Sequence, residues 1–182
     1  MHTAVKLLSY EEWLQLPENG DGREECVNGV IETMPPPKSD HAFLVENLAD
    51  LLRDAFDRAT HRVMTTNFGL VIRTSPLTQR TPDVAVFERA SIVIRDGYFH
   101  SAPVLAVEVL SPSNSRARMR HVLADYTSIG IPEVWVVDPG TRTVTTHRLH
   151  TSGYLATELP QSAVTSPVRF PSVSVDFSGI WP

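Results

Sequence analysis

Apolar residues recur at helical spacing along one stretch of the chain, and capping residues mark two further helices. Residues 39–58 form the longest stretch, and their apolar side chains return every three or four positions, as in a helix that buries one face. Residues 9–17 predict a short helix, because Ser9 and Glu12 have the spacing of a capping box. Residues 114–129 predict a third helix, because Pro112 and the possible caps Ser113 and Asn114 precede it and Gly130 ends it.

Short apolar runs bounded by turn residues predict strands in the rest of the chain. The pair Asn28-Gly29 divides residues 24–34 into two such runs and predicts a tight hairpin. The other predicted strands are residues 62–66, 70–73, 83–87, 104–110, 133–138, 144–149, 154–158, 168–170 and 173–175. This order predicts a mixed α/β (α+β) fold, with a central mixed sheet flanked by helices and extra antiparallel strands. Residues 104–110, the third helix and residues 133–138 are a candidate β-α-β crossover.

The composition narrows the class of protein. The chain has 182 residues, of which 42% are hydrophobic and 20% charged, and we expect a single domain over residues 1–182. No apolar run reaches the roughly 20 residues that cross a bilayer, so we expect a cytoplasmic protein with no membrane partner. The single cysteine, Cys26, excludes an internal disulfide. The net charge of −5 argues against a protein that coats nucleic acid nonspecifically, although a local basic strip is compatible with it.

Two acidic residues interrupt apolar strand-like runs. Asp83 opens the run that ends at Phe87, and Glu108 lies in the middle of residues 104–110. A carboxylate inside a sheet is costly unless it is paired or coordinates a metal. Because both acids lie on neighbouring strand-like segments, they predict a shared site for a divalent cation. Oxygen ligands of this kind suit Mg²⁺ or Mn²⁺.

Several motifs together resemble one known family. They are Tyr10-Glu11-Glu12-Trp13, the hairpin from Glu25 to Gly29, Met34-Pro35-Pro36-Pro37 followed by His41, Pro82-Asp83, the run from Val107 to Ser113, and the segment from Tyr126 through Gly130-Ile131-Pro132-Glu133 to Trp135-Val136-Val137-Asp138-Pro139. This pattern resembles the Uma-two family of restriction endonucleases, within the PD-(D/E)XK nuclease superfamily. The resemblance covers almost the whole chain and implies a restriction-endonuclease-like core.

The resemblance also implies roles for individual residues. Asp83 and Glu108 would hold the divalent metal, the Val109 carbonyl would be a further ligand, and Glu25 would point at the same site. The implied activity is metal-dependent hydrolysis of phosphodiester bonds, with DNA as the expected substrate and Mg²⁺ or Mn²⁺ as the cofactor. The resemblance also makes homodimerisation an expectation.

The chain departs from the family pattern at the catalytic lysine. The family lysine corresponds to Val122, the family aspartate one turn earlier corresponds to Arg118, and the alternative superfamily lysine position is Leu110. Arg118 lies one helical turn before Val122 and could stabilise phosphate charge in the lysine's place. It cannot act as a base, because arginine does not deprotonate. His121 could act as a base only if the helix turns it toward the sheet.

Other residues have simpler explanations that compete with a role in a site. His41 fits local packing at a helix start better than metal ligation, and Trp135 fits the core. Tyr126 fits the core with a hydroxyl that could touch the site, and Asp138 fits a turn. The arginines of the third helix, Arg116, Arg118 and Arg120, fit a solvated face, with phosphate contact as the alternative.

Three functions therefore remain open from the sequence. The first is a metal-dependent nuclease, which the two embedded acids favour. The second is a degenerate member of the fold that binds metal, nucleic acid or protein without cutting, which Val122 and the acidic net charge favour. The third is a structural module with no site, which the cost of burying unused charge opposes.

Overall fold

A computed structural model of the chain describes residues 6–17, 23–36, 38–65, 68–111 and 116–182, without the side chains of Arg23 and Arg116. Its α-helices are α1 (Tyr10–Trp13), α2 (Ser39–Ala55) and α3 (Arg116–Ser128), and short 3₁₀ turns cover Arg89–Ser91 and Phe177–Gly179. Its strands are β1 (Arg23–Val27), β2 (Val30–Met34), β3 (His61–Thr65), β4 (Leu70–Thr74), β5 (Leu77–Arg80), β6 (Val84–Glu88), β7 (Ile94–Arg95), β8 (Tyr98–Phe99), β9 (Leu105–Val109), β10 (Glu133–Asp138), β11 (Thr143–His150), β12 (Gly153–Pro160), β13 (Val164–Thr165) and β14 (Val175–Asp176).

The strands form two six-stranded mixed sheets and one small pair. The first sheet has the order β2-β1-β5-β4-β8-β7, the second has the order β12-β11-β10-β9-β6-β3, and β13 pairs with β14. Within the second sheet β9 and β10 are parallel and are joined through α3, so the predicted β-α-β unit is confirmed in its pairing. The Asn28-Gly29 hairpin is also confirmed, because β1 and β2 pair antiparallel and both turn residues have positive φ.

The second sheet separates two apolar clusters. Val84 and Val86 pack in the cluster that contains α2, whereas Ala85 and Phe87 pack in the cluster that contains α3. This alternation is the period of two expected of a strand whose two faces are both covered by apolar residues. The parity of the residues along β6 and β9 therefore decides which helix each side chain faces.

The carboxyl end of the chain docks on α2. Phe177 and Ile180 are buried in the α2 cluster, and the Asn47 amide donates a hydrogen bond of 2.9 Å to the Ile180 carbonyl oxygen. The apolar C-terminal residues therefore complete the core of this chain. No helix in the described ranges is both long enough and apolar enough to cross a membrane.

Some predicted elements differ from the structure. The predicted strand 168–170 is wrong, since those residues lie in turns, and the strand predicted at 173–175 is the two-residue β14. Strand β5 was not predicted, because Thr78, Gln79 and Arg80 are polar residues that are nonetheless buried. The predicted start of the third helix, residue 114, lies outside the described ranges. Homodimerisation and the one-domain organisation stay predictions.

Helix α2 offers a matched test of the core. Leu48 is fully buried against the second sheet, whereas Phe43 on the same helix is 62% exposed. We expect Leu48→Ala to lower the free energy of unfolding by about 2–5 kcal/mol, because it leaves a cavity. Phe43→Ala should change it by no more than about 0.5 kcal/mol. Urea unfolding followed by circular dichroism measures both, and equal effects would contradict this packing.

Candidate active site

The pairing of β6 with β9 brings Asp83 and Glu108 together. The two strands are antiparallel with Val84 opposite Val107, and continuing that register by one residue places Asp83 opposite Glu108. Both positions have the parity of Ala85 and Ala106, which face the α3 cluster. Asp83 is 3% exposed and Glu108 is 8% exposed, so two carboxylates share one largely dehydrated location.

Asp83 is held from two directions. The Val109 backbone N–H donates a hydrogen bond of 2.8 Å to its Oδ2 atom. The Nε2 atom of His41, at the start of α2, lies 3.4 Å from the same oxygen. The sequence favoured local packing alone for His41, and the structure shows that this interpretation is incomplete. His41 touches one of the two acids of the site.

Glu108 is held by Tyr126. The Tyr126 hydroxyl donates a 2.5 Å hydrogen bond to Oε1 of Glu108. Burial of the ring raises the pKa of Tyr126 well above its ordinary value, and the Glu108 carboxylate raises it further. Because the phenol stays protonated, it acts as a fixed donor that orients the carboxylate. Tyr126 is thus both a core residue and a site contact, as predicted.

These residues open into one pocket, which we call the carboxylate pocket. Its volume is 630 Å³. The lining residues are Glu25, Met34, Pro35, Pro36, Lys38, Asp40, His41, Asp83, Glu108, Leu110, Ser111, Arg118, Met119, Val122, Pro139 and Gly140. The four side chains predicted for the site from the sequence, Glu25, Asp83, Glu108 and Arg118, all line it.

Glu25 lies among cations. Its Oε2 atom is 3.0 Å from Nη1 of Arg80 and 2.7 Å from Nη2 of Arg118, and its Oε1 accepts a 3.0 Å bond from the Thr81 N–H. The alternation along β1 puts Glu25 inside, since it is buried whereas Glu24 is half-buried. Its charge is therefore balanced by two guanidinium groups, and its contacts are those of a residue that positions Arg118.

Arg118 joins α3 to the β1–β2 hairpin. Its Nη1 atom lies 2.7 Å from Oε2 of Glu32, in addition to its contact with Glu25. It is not part of a solvated helix face, which was the simpler interpretation, although Arg120 is exposed. The guanidinium lies at the pocket one turn before Val122, where the sequence placed it.

The two alternative helix positions differ in exposure. Val122 is 3% exposed and lines the pocket, so a lysine side chain at this position would begin at the pocket wall. His121 is exposed and is not among the residues lining the pocket, so the helix does not turn it toward the sheet. Two other interpretations from the sequence are confirmed: Trp135 is fully buried, and Asp138 accepts a 2.8 Å bond from Gly140 N–H in a turn.

A comparison with protein families decides the family. The model of the Uma2 family, described as "Putative restriction endonuclease", matches residues 10–178. This chain belongs to the Uma2 family. The match spans α1 through the last 3₁₀ turn and includes every residue of the carboxylate pocket.

The fold of this Uma2 chain is similar to that of a solved structure. That structure is described as a "putative nuclease belonging to DUF820" from Anabaena variabilis ATCC 29413. The two share 19% sequence identity and a TM-score of 0.78, over 96% of this chain and 97% of that one. The predicted mixed α/β fold of nuclease type is therefore confirmed. No curated protein matches the chain.

The donor set of this Uma2 chain fits a hard divalent cation better than a zinc-type cluster. Among the described residues, no three or more His, Cys, Asp or Glu side chains converge as a metal-binding group. Mg²⁺ does not require such a group, because it binds through one or two carboxylates and keeps several waters. Asp83 and Glu108 supply two carboxylates beside a pocket large enough for those waters.

Arg80 is the residue of the site region that the sequence did not reveal. It is 1% exposed at the end of β5, and its guanidinium bridges Glu25 and Asp125 of α3. Burial alone would lower the pKa of Arg80, but Glu25 and Asp125 raise it above its ordinary value. Its position two residues before Pro82-Asp83 is the only signal that the sequence carries.

The Arg80 bridge predicts a large effect on stability. Arg80→Met keeps most of the side-chain volume but removes a buried cation that contacts two acids, so we expect a loss of about 3 kcal/mol or more in the free energy of unfolding. The matched variant Arg120→Met, at an exposed position of α3, should change it by no more than about 0.5 kcal/mol. Thermal and urea unfolding measure the difference, and similar values for both variants would show that the bridge is unimportant.

Proposed function

We propose that this chain is a metal-dependent endonuclease that hydrolyses phosphodiester bonds, with DNA as its substrate and Mg²⁺ or Mn²⁺ as its cofactor. The observation that carries the proposal is the buried pair Asp83 and Glu108 at the wall of a 630 Å³ pocket. Two carboxylates on paired strands are expensive to bury, and a bound divalent cation would offset that cost. The family description supports the same reaction class.

Asp83, Glu108 and the Val109 carbonyl are the proposed ligands of the cation. When bound, such a cation lowers the pKa of a coordinated water and acts as a Lewis acid toward the phosphoryl oxygens. Tyr126 keeps the Glu108 carboxylate in one orientation, and the Val109 N–H does the same for Asp83. Both acids are therefore preorganised by neighbours whose own positions are fixed by the core.

Arg118 is the proposed substitute for the missing lysine. Its planar guanidinium can donate two parallel hydrogen bonds to a phosphate, and it lines the pocket that contains the acids. Glu25 and Glu32 fix the guanidinium, which reduces the entropy lost when it meets a phosphate. Arg118 contributes charge and orientation only, because a guanidinium does not accept a proton.

A catalytically degenerate nuclease fold is the second candidate. Val122 leaves an apolar side chain where the family has its lysine, and Arg118 is already bonded to two carboxylates. A phosphate would have to compete with those acids for the guanidinium. The retained pair of Asp83 and Glu108 would then serve metal or ligand binding without turnover.

Plasmid nicking tests the nuclease directly. We expect cleavage of supercoiled DNA with Mg²⁺ or Mn²⁺ and none with EDTA. Asp83→Asn and Glu108→Gln should each lower the rate by at least about 10²-fold, since even residues behind metal ligands cost about 10–100-fold. Asp54→Asn removes the same charge at an exposed position of α2 and should leave the rate unchanged. Cleavage that survives the loss of Asp83 would rule out this site.

A lysine at position 122 separates the two candidates. Arg118 also binds Glu25 and Glu32, so we expect it to replace the lysine only in part. Val122→Lys restores a cation at the pocket wall and should therefore raise the metal-dependent nicking rate, by up to about 10²–10³-fold, the scale of one electrostatic stabiliser. Ala124→Lys adds the same charge on the exposed side of α3 and should have no such effect. A gain in Val122→Lys over a slow natural rate indicates a weakened enzyme. Equal, measurable rates for the natural chain and Val122→Lys would show that Arg118 already supplies the missing charge, whereas no metal-dependent nicking by either protein would indicate the degenerate fold.

A further inference from the structure

A second pocket lies at the opposite end of β6 from Asp83. We call it the arginine pocket; it has a volume of 490 Å³ and is lined by Arg53, Phe56, Arg58, His61, Arg62, Val63 and Arg89. Four of its seven lining residues are arginines and none is acidic. This concentration of positive charge stands out in a chain whose net charge is −5.

Three of the four arginines have no carboxylate ion pair in the part of the chain that the structure describes. Arg53 forms ion pairs with Asp50 at 2.7 Å and with Glu46 at 3.9 Å. Within the described ranges, no carboxylate forms an ion pair with Arg58, Arg62 or Arg89. Like charges gathered without counterions repel one another, and an anionic ligand would relieve this repulsion.

Hydrogen bonds from Arg89 to neighbouring backbone carbonyl oxygens fix the shape of the pocket. Nε of Arg89 donates hydrogen bonds to the carbonyl oxygens of Arg58 at 2.7 Å and His61 at 3.1 Å. The Arg89 backbone N–H also donates to the Thr60 carbonyl oxygen at 2.9 Å. These contacts fix the turn before β3 against the end of β6, so Arg58 and Arg89 are brought together by the fold.

An aromatic group forms one side of the pocket. The rings of Phe56 and His61 lie 5.0 Å apart, and that of Phe170 lies 4.9 Å from His61. Nε2 of His61 is buried and has no hydrogen-bond partner among the described residues. A buried polar atom without a partner is uncommon and often marks the place of a water or an ion.

The arginine pocket and the carboxylate pocket lie at opposite ends of β6, so the length of that strand gives the distance between them. Strand β3 pairs antiparallel with β6, with His61 opposite Glu88 and Thr65 opposite Val84. At about 3.3 Å per residue, Asp83 and Arg89 are separated by about 20 Å along this strand. One strand of DNA carries a phosphate about every 3.4 Å of helix axis, so a duplex lying along β6 would span the two pockets with about six phosphates of one strand.

We propose that the arginine pocket binds phosphate groups of the nucleic-acid backbone outside the carboxylate pocket. Arginine is the side chain best suited to bidentate phosphate contacts. The carboxylate pocket is lined by four acids and by the cations Lys38 and Arg118, so without a bound metal its own charge favours a polyanion little. This inference rests on the proposed function, because it assigns that function a substrate-binding surface.

Binding without cleavage tests the inference. A short labelled DNA duplex is titrated in EDTA at several salt concentrations, with fluorescence anisotropy as the readout. Arg58→Ala/Arg62→Ala should bind roughly tenfold more weakly at low salt, and its plot of log affinity against log salt should be shallower by about 1.8, for two lost phosphate contacts. Both side chains are exposed, so the variant should fold, and thermal unfolding checks this.

Two matched variants make the comparison specific. Arg95→Ala/Arg142→Ala removes the same charge from exposed positions that do not line the arginine pocket, and it should reduce the affinity for DNA much less. Arg58→Lys/Arg62→Lys keeps the charge and should recover most of the salt dependence. Unchanged binding by Arg58→Ala/Arg62→Ala, an equal loss in the control pair, or no DNA binding by the natural chain would each overturn the inference.

Inorganic phosphate distinguishes the source of the ligand. Suppose that inorganic phosphate alone shifts the NMR resonances of the His61 ring, while the affinity for DNA is the same with and without the Arg58 and Arg62 side chains. The pocket then binds a small anion, and the nucleic-acid assignment is wrong. Plasmid nicking is scored separately. If DNA binding depends on the arginine pocket but the chain never cuts DNA, the inference stands and the nuclease proposal is rejected. If the chain nicks DNA but Arg58→Ala/Arg62→Ala binds DNA as tightly as the natural chain, the nuclease proposal stands and the inference is rejected.

Discussion

The antiparallel pairing of β6 with β9 is the constraint on which the site depends. Its register sets Asp83 opposite Glu108, and the alternation of each strand turns both side chains toward α3. A slip of one residue would send one carboxylate to the α2 face, among fully apolar neighbours. Helix α3, which covers this face, carries Tyr126, whose hydroxyl donates a hydrogen bond to Glu108. Fold and chemistry are therefore linked through one pair of strands and the helix that covers them.

Charge balance around this pair explains the arrangement of the surrounding side chains. Glu25, Glu32 and Asp125 are matched by Arg80 and Arg118, in a network that ties β1, β2, β5 and α3 to one another. Such a network stabilises a fold only when every member is satisfied. Arg118 completes the network and also lines the carboxylate pocket, where the proposed function gives its cation a role toward phosphate.

The sequence predicted the parts of the molecule that follow from local pattern. The helices, the Asn28-Gly29 hairpin and the two embedded acids could be read directly, because apolar periodicity and its interruption are visible without neighbours. Strand β5 could not, since Thr78, Gln79 and Arg80 are buried by tertiary contacts that no local pattern encodes. The contact of His41 with Asp83 and the arginine pocket were missed for the same reason: each joins residues that are distant in the sequence. The exposure of Phe43 shows the limit of helical periodicity, which finds an apolar stripe without finding its edges.

The central claim is that Asp83 and Glu108 jointly hold a divalent cation. A crystal of the natural chain soaked with Mn²⁺, measured for anomalous scattering, tests it most directly. The account predicts an anomalous peak within coordination distance of both carboxylates, at about 2.0–2.2 Å, and loss of that peak in crystals of a variant lacking either acid. An empty site between well-ordered carboxylates at saturating Mn²⁺, or a peak bound only by other residues, would contradict it.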